Sequence, residues 1–161
     1  MLVTSVSPLT IFMFTKPYLR FTSEDYDPTM LADKFMHLTN ASISKNNANA
    51  KKSKVEGGYE IVDNMWHTED FAGFLADQYG EAKNCKDPLR EIVFPQIKEG
   101  VITSLVSVSK VLQHRDRSHE LYGYDFMVDT NLNVWLLEVN SSPSMEFSTQ
   151  VTESLVKLMM P

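Results

Sequence analysis

The stretch Tyr122–Ser144, YGYDFMVDTNLNVWLLEVNSSPS, sets Asp125, Glu138 and Asn140 among strand-forming apolar residues: Phe126 and Met127 on one arm, Trp135, Leu136 and Leu137 on the other. Between the arms lies Asp129–Asn133, rich in turn-forming side chains, so the pattern predicts a β-hairpin that reads as buried. With the turn centred on Asn131-Leu132, paired residue numbers sum to 263. Asp129 then faces Val134, Met127 faces Leu136, and Asp125 faces Glu138. Asn140 shares their face by the two-residue period of a strand, while Phe126, Val128, Trp135 and Leu137 are expected to point the other way, into the core.

Directly opposed residues on paired strands have Cβ atoms about 4.5 to 5.5 Å apart, and like charges placed so repel. A divalent cation between Asp125 and Glu138 would remove that conflict. Hard ions such as Mg²⁺ take oxygen ligands, commonly one or two carboxylates with substrate phosphates and water, and Asn140 adds an amide oxygen. Two plainer readings stay open from spacing alone: a polar hairpin face that meets solvent, or Asp125 paired with a Lys or Arg.

Outside the hairpin, 161 residues with 43% hydrophobic content suffice for one globular domain with a real core. The single Cys85 cannot form an internal disulfide, and MLVTSVSPLTIFMF has neither a basic signal-peptide start nor the length of a membrane span. These features lead to the expectation of a cytoplasmic protein. The net charge of -6 argues against general nucleic-acid binding. Charge is uneven, however: residues 1–54 carry seven Lys/Arg against four Asp/Glu, and the remainder eight against seventeen. Lys45, Lys51, Lys52 and Lys54 form a basic segment that either is a solvated loop or meets an acidic partner.

Thr10–Phe14 and Tyr18–Phe21 read as short extended pieces, and Asp25–Met30 as a turn. Ser42–Gly58, rich in Asn, Lys and Ser, reads as an exposed loop within a flexible insertion over about residues 42–62. Thr68 is the expected N-cap of an amphipathic helix ending near Gly80. Asp87-Pro88 opens a long helix to His114, with Ile97, Val101, Leu105, Val108 and Leu112 on one face and a kink expected at Pro95. A last helix begins at Thr149.

Three motifs together, LYGYDFMVDTNLNVWLLEVNSSPS, HLTNASISK (His37–Lys45) and PLTIFMFTKPYLRF (Pro8–Phe21), closely resemble the tubulin–tyrosine-ligase-like family. The resemblance covers almost the whole chain and implies an α/β (α+β) fold: the C-terminal portion of an ATP-grasp domain, an antiparallel sheet backed by helices. It also implies that the N-terminal part of that domain is absent from this chain. Asp125, Glu138 and Asn140 would hold Mg²⁺ against the ATP phosphates. His37, Leu38, Thr39 and Asn40 would line the nucleotide site, and Arg20 would approach the phosphates; Arg20 and Glu138 are the expected catalytic residues. Lys45 matches a basic position of less defined role.

By the same resemblance the reaction would be ATP-dependent ligation of an amino acid to glutamate side chains of tubulin through an acylphosphate. Phosphoryl charge is handled there by Mg²⁺ and Arg, so no Ser-His-Asp set is needed. DNMW (Asp63–Trp66) and FPQIKEGVITSL (Phe94–Leu105) point to the glycine-adding branch, with free glycine as co-substrate. The alternatives are glutamate or tyrosine addition, or a truncated, non-catalytic remnant that binds tubulin or nucleotide. The implied partners are acidic tubulin tails or microtubules, and the implied location is the cytoskeleton, including the axoneme of cilia or flagella. His114-Arg115-Asp116 is no kinase loop, because Leu121 stands where that pattern needs Asn. Cys85, His114 and His119 lack zinc-site spacing, and Gly57-Gly58 lacks the Lys and Ser/Thr of a phosphate loop.

Overall fold

The structure, a computed structural model, describes residues 1–47, 53–113, 115 and 117–160, with the backbone alone for Ser53 and Lys54. In chain order the elements are β1 (Leu2–Val6), β2 (Leu9–Phe12), β3 (Leu19–Arg20), α1 (Lys34–His37), α2 (Ala41–Ser44), β4 (Ser53–Glu56), β5 (Tyr59–Val62), β6 (Met65–Trp66) and α3 (Thr68–Tyr79). A π-helical turn (Leu89–Val93) then leads into α4 (Phe94–Val108), followed by β7 (Glu120–Leu121), β8 (Gly123–Val128), β9 (Val134–Asn140) and α5 (Gln150–Met159). All strand pairs are antiparallel. The mixed helix and antiparallel-sheet architecture agrees with the expected α+β class. The chain divides into two compact units, residues 1–15 with 75–144 and residues 16–74 with 145–161.

The first unit holds the sheet β2-β1-β7 and the separate hairpin β8-β9. Val101 and Leu105, four apart on one stripe of α4, bury against Val3, with Leu9, Ile11, Tyr124 and Phe126 packed around them. Gly100 lets α4 lie close to β8: a Cβ there would sit 3.2 Å from the Phe126 ring. The expected kink at Pro95 is instead a π-helical turn that ends at Val93, with Pro95 in the first turn of α4. A proline cannot donate to the carbonyl one turn back and its ring crowds that carbonyl, so the wider turn comes before it. The helix also stops at Val108, short of the expected His114, which lies outside the described residues.

The second unit is built on the sheet β3-β6-β5-β4. The loop expected over Ser42–Gly58 contains α2 and β4. Glu56 pairs with Tyr59 across Gly57 and Gly58, both at positive φ. Val62 pairs with Met65 across Asp63 (φ 53°) and Asn64 (φ 57°) in the same way. Two-residue turns with positive φ at both positions match the twist of the flanking strands, so these residues are turn makers first. Of the flexible insertion expected over about residues 42–62, residues 48–52 lie outside those described. Trp66, 2% exposed, is the anchor of this unit: Phe21 meets it edge-on at 4.8 Å, Phe74 lies at 5.2 Å, and its indole N–H donates to the Glu60 carbonyl at 3.0 Å.

Thr68 does not cap α3 as expected. Its hydroxyl donates to the Pro17 carbonyl, and the Asp70 carboxylate accepts from the His67 N–H at 3.3 Å. At α5 the expectation holds: Thr149 Oγ1 accepts from the Thr152 N–H at 3.2 Å, and Thr152 Oγ1 accepts from the Thr149 N–H at 2.9 Å.

Candidate functional site

In the hairpin, Asp125 pairs with Glu138 and Gly123 with Asn140, as the period of two requires. The Asn140 amide Nδ2 donates to Glu138 Oε1 at 3.0 Å, so the two side chains are tied on one face. Gly123 makes room for that arrangement: a Cβ there would sit 3.0 Å from the Pro143 Cβ and 3.7 Å from the Asn140 Cβ. Two carboxylates and an amide oxygen form a hard-oxygen donor set of the kind Mg²⁺ takes. Their chemistry therefore fits the implied ion. Among the described residues no group of three or more His, Cys, Asp or Glu side chains could hold a metal, so any such site here needs amide, substrate or water oxygens to complete it.

Two expectations about the hairpin are corrected. The even register breaks after Asp125: Phe126 pairs with Leu136, Met127 with Trp135 and Val128 with Val134, leaving Leu137 as an extra residue in β9. This is a β-bulge, two residues on one strand facing one on the other. Nor is the hairpin buried as the sequence suggests. Trp135 is 59% and Leu137 57% exposed, and among the described residues β9 pairs with no strand other than β8. Asp125 is half-buried, whereas Glu138 and Asn140 are exposed.

At the tip, Asp129 is the organising group that sequence reading missed. Its carboxylate accepts from the backbone N–H groups of Asn131 (2.8 Å) and Asn133 (2.9 Å), the Asn133 amide (3.0 Å) and the Trp135 indole (3.2 Å). The Asn133 side chain above all, then the Asn133 backbone N–H, with smaller help from Trp135 and Asn131, pull its pKa down to about 2. The signal available in the sequence was the Asp-x-Asn-x-Asn spacing of a side-chain-closed turn.

The remaining expected residues belong to the second unit. Arg20 lies on β3, paired with Met65 on β6. His37 ends α1, its Nε2 3.0 Å from the Met30 carbonyl and its ring edge-on to Tyr26 at 5.5 Å. Leu38 is exposed and its N–H donates to the Lys34 carbonyl at 3.0 Å. Thr39 is half-buried in the link to α2, and Asn40 begins that helix with its carbonyl accepting from Ile43 and Ser44 while its side chain makes no capping bond. Lys45 is exposed at the end of α2. DNMW is accounted for by turn and core: Asp63 and Asn64 make the β5-β6 turn, and Trp66 fills the interior. A separate cavity of about 220 Å³ beside β1, lined in part by Ser5, Arg115 and His119, includes none of the expected site residues.

Comparison with known proteins agrees with the motif reading. The family described as Tubulin-tyrosine ligase family matches residues 1–160. Tubulin glycylase 3C of Tetrahymena thermophila is 44% identical over 156 residues, which cover 97% of this chain and 14% of that protein. Tubulin monoglycylase TTLL3 of Danio rerio is 36% identical over 154 residues, 96% of this chain and 19% of the relative. Tubulin monoglutamylase TTLL4 of Homo sapiens is 37% identical over 162 residues, 95% and 13% of the two chains. The chain thus spans about a seventh of the length of the first of these relatives. With the family match running over nearly every residue, the chain belongs to the tubulin-tyrosine ligase family.

Proposed function

We propose that this chain carries part of the catalytic core of an ATP-dependent ligase that adds an amino acid, glycine before glutamate, to glutamate side chains of tubulin. The observation that supports it most is the pairing of Asp125 with Glu138, with Asn140 bonded to Glu138, in a chain of this family. In the reaction, the γ-phosphoryl group of ATP passes to the acceptor carboxylate and ADP leaves. The incoming amine then attacks the acylphosphate carbon, expels phosphate, and leaves an amide.

Asp125, Glu138 and Asn140 would hold Mg²⁺, which when bound neutralises phosphoryl oxygens and orients them. Asn140, by donating to Glu138 Oε1, orients that carboxylate. Arg20 is assigned to the transferring phosphoryl group as a permanent positive charge. His37, Leu38, Thr39 and Asn40 are assigned to nucleotide contact. The basic side chains Lys45, Lys51, Lys52 and Lys54 suit an acidic tubulin tail, which would place the protein on microtubules, axonemal ones included.

Glycine is favoured by the 44% identity to a protein named a tubulin glycylase, and glutamate addition is the second reading because a monoglutamylase is 37% identical. The test places residues 1–160 in the matching segment of the Tetrahymena glycylase 3C and supplies labelled glycine and labelled glutamate in competition, with ATP and microtubules. Glycine incorporation that depends on ATP supports the proposal. Glutamate incorporation alone replaces it with the second reading.

A further inference from the structure

One polar side chain of α4 reaches the hairpin and uses nearly all its hydrogen-bonding capacity there. Gln96 Nε2 donates to the Leu132 carbonyl at 2.8 Å and to the Ile92 carbonyl of the preceding π-helical turn at 3.0 Å, while Oε1 accepts from the Val134 N–H at 3.2 Å. The amide has one workable orientation: turned over, it would set oxygen against the Leu132 carbonyl and N–H against the Val134 N–H. Between those two clamped positions the tip is already constrained. Leu132 is 2% exposed and sits at φ 66°, a conformation a leucine holds only when its surroundings demand it.

Gln96 ties Val134 to α4, and α4 meets β8 where Gly100 faces the Phe126 ring. Val134 pairs with Val128, so pairs at the tip sum to one less than the Asp125–Glu138 pair, and the bulge at Leu137 absorbs the difference. In an unbulged ladder Trp135 would pair with Val128, on the Phe126 side that meets α4. In the bulged one Trp135 pairs with Met127, and these two side chains, 59% and 57% exposed, share the face of Asp125 and Glu138.

We propose that Gln96 is a positioning residue for the Asp125–Glu138 site: it holds the hairpin tip one residue out of step, and so sets which side chains flank the two carboxylates. This rests on the metal reading of that pair, and the experiment separates the two. In the 161-residue chain, NMR cross-strand contacts report the register and Mn²⁺-induced broadening of the Asp125 and Glu138 amides reports metal binding. Gln96→Met keeps the volume and removes the clamp. The Met127–Trp135 contacts should give way to Met127–Leu136 contacts, and the Mn²⁺ needed for half-broadening should rise about tenfold, the lower end of what loss of a supporting bond costs a metal site.

Gln96→Glu serves if Gln96→Met does not fold. Its neutral carboxyl can donate to Leu132 and accept from Val134, so the bulged contacts should return reversibly on acidification and leave as the group ionises. A folded Gln96→Met chain that keeps the Met127–Trp135 contacts, or whose Mn²⁺ midpoint is unchanged, overturns the role of Gln96; so does a Gln96→Glu chain bulged at every pH. If Mn²⁺ leaves the wild-type amides unbroadened, or if Glu138→Gln leaves broadening intact, the metal reading fails while the contact pattern still decides on Gln96.

Discussion

Asp129 and Asn133 are joined three times: the Asp129 N–H donates to the Asn133 carbonyl at 3.0 Å, and the Asp129 carboxylate accepts from both the Asn133 backbone N–H at 2.9 Å and its side-chain amide at 3.0 Å. Such a closure depends on charge. The folded-state pKa of Asp129, about 2, lies below the ordinary aspartate value of about 3.9. A lowered carboxylate pKa contributes stability above the unfolded value and loses it as pH falls through the folded one. Hairpin order should therefore weaken between about pH 4 and pH 2. Carboxyl chemical shifts of Asp129, followed from pH 5 to pH 1.5, should titrate near 2; a midpoint near 3.9 would show that the loop bonds do not hold in solution.

Gly123 lies opposite Asn140, with Pro143 packed where a side chain would begin. Gly123→Ala should push Pro143 away by a few tenths of an ångström, shifting the chain just after Asn140 and so disturbing the Asn140–Glu138 bond. The expected result is weaker Mn²⁺ binding with little change in melting temperature. Unaltered Mn²⁺ binding would separate Asn140 from the site.

Trp66 carries the interior of its unit. Trp66→Ala should cost about 3 to 5 kcal/mol, the usual range for removing a buried aromatic side chain. Urea unfolding measures it; a loss under about 1 kcal/mol would contradict the packing described for Phe21 and Phe74.

The pairing of Asp125 with Glu138 was legible from sequence because it needs only an alternating strand and a polar turn. The bulge was not: the Gln96 contact proposed to hold it comes from thirty-six residues before Leu132, and helical periodicity marks that position only as one more residue of a long helix. Burial of Trp135 and Leu137 was misread for a related reason: apolar composition says that a strand can be covered, not that it is. The β4-β5 hairpin hid behind its Lys- and Asn-rich approach, although Gly57-Gly58 was a sound turn signal. Family motifs supplied roles for Arg20 and His37–Asn40 that no spacing in the chain would have suggested.

The basic segment yields a salt-dependent expectation. Replacing Lys45, Lys51, Lys52 and Lys54 with Gln should weaken microtubule co-sedimentation, most at low ionic strength, where exposed charges are least screened. Equal binding at low salt would remove this segment from the tubulin contact.

Glu138 is the most direct test of the whole account. Glu138→Gln keeps shape and hydrogen-bonding capacity while removing one negative charge. In the glycylase 3C chimera, ATP-dependent incorporation of labelled glycine into tubulin should fall at least about a hundredfold, the scale expected when electrostatic stabilisation of a transferring group is lost. Circular dichroism should show the two proteins equally folded. Incorporation by the Glu138→Gln chimera equal to that of an active parent chimera would contradict the account.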